Sequence, residues 1–184
     1  MSKTTFDSVI YAALFLTDES KAMLKSHFKM EGWRDTNAKI YCDHVTLAFK
    51  PFDSYLHVLH DYLGKEYDIN PKRYLRDERA ACITVGSELT RDLFLGRSMH
   101  ITLATFPYGV HQTSPMYSNE LIFLDKFNDP SVESAYYDGR VFTSSLGKCP
   151  ELKGIVGVHT SSMGVVTDPK MLLKGNIESI GNIS

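Results

Sequence analysis

The chain lacks most of what would tie it to a membrane, a metal or an oxidising compartment. Its first apolar run, Val9 to Leu16, is too short to span a bilayer, and Asp7 stands where a secretory leader would carry positive charge. Three cysteines (Cys42, Cys82, Cys149) are widely separated, odd in number and form no Cys-x-x-Cys. They read as free thiols in a reducing compartment, so the expected location is cytoplasmic, with no membrane partner. The net charge of −2 argues against a protein held to nucleic acid by bulk charge, so no long nucleic acid is required. A small anionic ligand drawn in by a local basic patch stays open. His57 and His60 sit three apart on an expected helix, but no third ligand has recognisable spacing, so neither a metal nor another cofactor is expected. No Lys-centred nucleotidyltransferase motif, low-complexity tract or linker is present. What remains is ordinary for a soluble globule: 184 residues, 43% hydrophobic and 23% charged, enough for one domain with a substantial core.

One stretch occurs twice. Asp43-His44-Val45-Thr46-Leu47-Ala48-Phe49 is matched by Met99-His100-Ile101-Thr102-Leu103-Ala104-Thr105. In a β-prone run, period-two alternation puts the His and the following Thr on one face and the aliphatic residues on the other. Two such strands facing each other would set two imidazoles and two hydroxyls around a single cleft. Phosphodiester cleavage needs one group to take a proton from the nucleophile and another to give one to the leaving oxygen. Histidine performs both near neutrality. Threonine hydroxyls can meanwhile donate to the non-bridging oxygens as their charge builds. A single His-x-Thr means little, because His111-Gln-Thr113 also fits and His159-Thr160-Ser161 fits a looser form. His111 lies in turn composition between Pro107 and Pro115, and His159 has a polar middle residue with no apolar pair after it. The repeated apolar frame singles out His44 and His100.

The paired motifs HVTLAF and HITLAT resemble those of the 2H phosphoesterase superfamily, marked by two His-x-Thr/Ser motifs on facing strands. Its members include LigT-like RNA ligases and cyclic phosphodiesterases, and viral enzymes that degrade cyclic-nucleotide immune signals. The resemblance extends loosely to an opening aliphatic strand (Val9 to Leu16), to Tyr117-Ser118-Asn119-Glu120-Leu121, and to a closing strand from Leu152 to Val158. It implies an α+β, two-lobed fold with pseudo-symmetric antiparallel sheets around a central cleft and helices outside. It further implies His44 and His100 as the acid/base pair, Thr46 and Thr102 on the phosphate, and a metal-independent phosphodiesterase acting on nucleotides. A cyclic di- or oligonucleotide messenger is the leading substrate, and an RNA end bearing a 2′,3′-cyclic phosphate is the alternative. A reading from another class is a non-catalytic nucleotide- or RNA-binding module, for which two titratable imidazoles are not required.

The rest of the chain supplies a frame. A strand over Ser8–Leu16 carries Tyr11, which can offer an aromatic face to substrate. Thr17 caps a helix running to about Lys29, with Ala22, Met23, Leu24 and Phe28 toward the sheet. A loop follows, whose lone Trp33 either stacks on a base or simply packs. Motif one runs from Lys39 to Phe49, and Asp53 opens a helix to Leu63. Lys65–Leu75 and Ala80–Ser87 form a strand pair around Asp77-Glu78-Arg79. Lys72, Arg73, Arg76, Arg79, Arg91 and Arg97 steer phosphate or are ordinary surface charge. After motif two come a rim loop to Pro115, a helix capped by Ser118 through Leu124, and an irregular stretch from Phe127 to Gly147. A strand over Lys153–His159 follows, and from about residue 161 the composition suggests a loosely ordered tail. The motifs are the one internal repeat, and imply two lobes within a single domain, 1–184.

Overall fold

The computed structural model describes residues 3–89, 93–94, 98–136 and 151–174. In chain order the elements are β1 (Thr4–Thr5), β2 (Val9–Leu16), α1 (Asp18–His27), β3 (Lys39–Ile40), β4 (His44–Phe49) and α2 (Asp53–His60). There follow β5 (Glu66–Arg76), β6 (Ala80–Ser87), β7 (His100–Thr105), β8 (Pro107–Tyr108), β9 (His111–Gln112) and α3 (Tyr117–Lys126). The chain then forms β10 (Glu133–Tyr136), β11 (Leu152–Thr160), β12 (Gly164–Val166) and β13 (Leu172–Leu173).

Six strands close on themselves in the order β5-β6-β7-β4-β2-β11, with β11 pairing back onto β5, and every pairing in this ring is antiparallel. The ring is made of two three-stranded halves. One is β11-β2-β4 and the other β5-β6-β7, each with a motif strand at its edge. The halves meet at two seams. One is the four-residue run that pairs Leu152–Ile155 with Ile69–Glu66, and the other is a single pair, Val45 opposite Ile101. The expected α+β architecture of two antiparallel lobes is therefore present, with its lobes as halves of one sheet. Alternation explains the layering. Ala12, Leu14, Leu16, Val45, Leu47, Ile83, Ile101, Leu103, Val156 and Val158 all face one core, which Leu24 of α1 and Leu56 and Leu59 of α2 help fill.

Sequence and structure differ at several element ends. Thr17 caps α1, accepting from Ser20 N at 3.2 Å, but the helix stops at His27 because Phe28 turns into the core and Lys29 adopts a positive φ of 51°. Ala22 and Met23 are exposed, and Ser20 is the residue that α1 buries beside Leu24. Its hydroxyl accepts from Lys153 N on β11 at 2.8 Å, so a polar residue docks this face of the helix. The rim loop after motif two contains the hairpin β8–β9. Part of the irregular stretch is strand β10, paired with β5, while 137–150 lie outside the described residues.

The expectation of a loose tail from residue 161 is corrected as far as Lys174. Thr160 accepts from Met163 N and donates to Gly164 O, which turns the chain back so that β12 pairs with β11. Val166 and Leu172 are buried, and β13 lies parallel to β1. Two well-separated aliphatic residues anchor a segment whose Gly- and Ser-rich composition hides them. Gly157 makes room, since a Cβ there would come within 2.9 Å of Val166 O. Residues 175–184 lie outside the described set.

Candidate active site

The Val45–Ile101 pair decides the arrangement of the site. The side chains flanking this pair, His44 and Thr46 on β4 and His100 and Thr102 on β7, alternate to the face away from the core. All four side chains line one cleft of about 790 Å³, together with Tyr11, Tyr41, Asp43, Phe49, Lys50 and Phe52.

Each of the four has its own surroundings. His44 stacks on Tyr11 at 5.0 Å between ring centroids and leans on Phe15 at 5.8 Å. Burial lowers its pKa, and the positive charges of His100, His159 and Lys21 push the same way, while the Asp43 carboxylate opposes them. His100 Nδ1 lies 2.9 Å from Ser98 O. A carbonyl only accepts, so Nδ1 carries the proton and the Nε2 lone pair is left for the cleft. Burial lowers the pKa of His100 too, and the bond to Ser98 offsets part of this. Thr46 is exposed in the cleft. Thr102 Oγ1 is 2.9 Å from Ser118 Oγ and 3.4 Å from Pro115 O.

Of the two aromatic residues expected to meet substrate, only Tyr11 lines the cleft. Trp33 does not. It packs against the core, tilted 59° to Phe106 and covered by the Arg76 guanidinium at 5.0 Å, which corrects the base-stacking reading in favour of packing. The basic cluster is likewise engaged elsewhere. Arg73 pairs with Asp125 at 2.7 Å, Arg76 lies over Trp33 and Phe106, and Arg79 over Tyr108 and Tyr117. Arg91 and Arg97 lie outside the described residues. Motif reading alone does not single out Lys50, yet its Nζ stands 5.5 Å from the Phe49 ring at the cleft. A signal for it exists: a Lys-Pro turn directly after a motif strand, with Lys50 at a positive φ of 46°.

Ser118 does not cap α3. The cap position is Met116, and Ser118 is fully buried against Thr102. Its cap-like sequence context conceals a bond to a strand 16 residues away. His111 is exposed on β9. His159 stacks on the far face of Tyr11 at 5.1 Å, so three rings from three adjacent strands form a ladder His44–Tyr11–His159. Cys42 is buried, its thiol 3.4 Å from Met30 Sδ and pushed up to about 12 by burial, a packing role. His57 packs edge-on to Phe6, and His60 Nε2 meets Leu172 O at 2.9 Å. Among the described residues no group of three or more His, Cys, Asp or Glu is placed to hold a metal ion, and no helix is long and apolar enough to cross a membrane.

No family model matches the chain, and no curated protein matches it by sequence. Among solved structures, one similar in fold is described as the crystal structure of a fungal RNA kinase. It is 15% identical with a TM-score of 0.48, over 80% of this chain and 45% of that one, so this chain spans less than half the length of that protein.

Proposed function

We propose that the chain is a 2H-type phosphodiesterase that cleaves a nucleotide phosphodiester by histidine acid/base catalysis. The observation that carries the reading is the Val45–Ile101 seam, whose register gathers two His-x-Thr motifs into one cleft. His100, with Nδ1–H held on Ser98 O, takes a proton from the attacking water through Nε2. His44, beside the Asp43 carboxylate, gives its proton to the leaving oxygen. The water oxygen bonds to phosphorus as the ester bond to the leaving oxygen breaks, and the two histidines exchange protons with solvent afterwards. Thr46 and Thr102 donate to the non-bridging oxygens.

The substrate class follows from the walls. Phe49 and Phe52 are 63% and 82% exposed at the cleft, surfaces that a planar base can cover. The Lys50 ammonium beside them suits a phosphate. A cyclic di- or oligonucleotide offers a base on either side of its scissile bond and is the preferred substrate. A 2′,3′-cyclic phosphate end is the second reading, supported by the same four catalytic groups. The chain acts as a single catalytic unit on a small soluble nucleotide in the cytoplasm and needs no cofactor. The test is incubation of the pure protein, with EDTA, against a panel of cyclic dinucleotides and cyclic-phosphate ends. Cleavage that persists under chelation is expected. Activity abolished by EDTA and restored by a divalent ion sinks the two-histidine mechanism.

A further inference from the structure

We propose that Ser118 is a positioning residue for Thr102, donating to its Oγ1 so that the Thr102 proton is aimed into the cleft. The inference rests on the phosphate-binding role given to Thr102 above. Its basis is geometric. Ser118 is 0% exposed at the start of α3, with its Oγ 2.9 Å from Thr102 Oγ1. Cys82, the β6 partner of Thr102 in the sheet register, is also fully buried.

The direction of donation follows from what each group is able to do. Pro115 O, 3.4 Å from Thr102 Oγ1, only accepts, so before substrate arrives Thr102 donates toward it. That bond is long, and a charged phosphoryl oxygen displaces it readily. With its own proton committed outward, Thr102 takes the Ser118 proton on an oxygen lone pair. The order is Ser118 to Thr102 to phosphate, and each member polarises the next. Thr46, exposed in the cleft, is oriented by solvent or substrate. The two motifs are therefore alike in sequence and unlike in preparation: the Thr102 donor is preorganised ahead of binding.

The test compares wild type, Ser118→Ala, Ser118→Thr, Thr102→Val and the Ser118→Ala/Thr102→Val double variant. Each is assayed for kcat and KM on cyclic di-AMP and adenosine 2′,3′-cyclic phosphate, beside a thermal melt. Loss of one orienting hydrogen bond should lower kcat about 3- to 30-fold in Ser118→Ala with KM little changed. Ser118→Thr should recover most of the loss. Thr102→Val should cost much less when added to Ser118→Ala than when made alone. Wild-type kcat in a folded Ser118→Ala variant, or losses that multiply in full, overturns the proposal. A wild-type rate in Thr102→Val overturns instead the phosphate-binding role on which it rests. The wild-type protein provides a check independent of folding: the Ser118 hydroxyl proton should be protected from exchange in NMR and close to Thr102. Exchange at the solvent rate overturns the proposal.

Discussion

An imidazole serves as base or acid only when its surroundings decide where its proton sits. Ser98 O makes that decision for His100, and for His44 it falls to Tyr11, Phe15 and Asp43. General acid or base help is worth about 10²–10⁴-fold per group, so His44→Ala and His100→Ala should each lower single-turnover cleavage by that range. The double variant should be little worse than the poorer single, because the pair acts as a unit. Properly folded single variants that cleave at wild-type rates would disprove the reading. Both histidines titrate below their ordinary value, so the base is ready and the acid scarce at neutral pH. The kcat/KM profile should therefore peak on the acid side of pH 7; a maximum at pH 8 or above contradicts the assignment. His111→Ala should leave the rate unchanged, since His111 is exposed on β9. His159→Ala should keep most activity while moving the alkaline limb upward, because it removes a positive charge that depresses His44.

Among the elements, α1 and the β4–β7 seam carry unequal risks. Ser20 accepts from Lys153 N and from Thr17 Oγ1, so Ser20→Ala leaves a strand N–H without its partner. The expected cost is about 1–3 kcal/mol in chemical denaturation, against little for the exposed Ala22. Ile101 is fully buried at the one pair joining the two motif strands. Ile101→Ala should cost about 2–5 kcal/mol. It should also depress cleavage in the protein that remains folded, because the seam sets the spacing of the four side chains proposed to act. A loss of stability with an intact rate would show that the pair is core alone. Strands that are continuous β-prone apolar runs are legible from sequence, as β2, β6 and β11 show. The ends of α1 and the segment after Thr160 are not. Their anchors are a buried serine and two isolated aliphatic residues, which make no periodic signal.

At the scale of the whole molecule, the closed ring buries the motif histidines, and this has a consequence for stability. Their folded-state pKa values lie below the unfolded value of about 6.5. The unfolded chain therefore binds more protons as pH falls through that value. The stability contributed by keeping these rings neutral is complete above it and lost below it, down to the folded pKa. Melting temperature should fall between pH 7.5 and 5.5, and less steeply in the His44→Ala/His100→Ala variant. Equal slopes would mean that the burial of these rings is not felt.

The linear sequence by itself determined the two motif strands, the face each shows to the cleft, and the four candidate side chains that line it, because alternation and the His-x-Thr spacing are local properties. Only the tertiary structure decided which threonine is held and by what, since Ser118 lies on a helix 16 residues along the chain from Thr102. It also decided that Trp33 packs under Arg76, that Arg73 pairs with Asp125 and Arg79 lies over Tyr117, and that His159 reaches His44 through Tyr11. Such assignments depend on ring closure, which brings β11, β2, β4, β7 and β6 side by side although they are far apart along the chain. No window of sequence contains that adjacency.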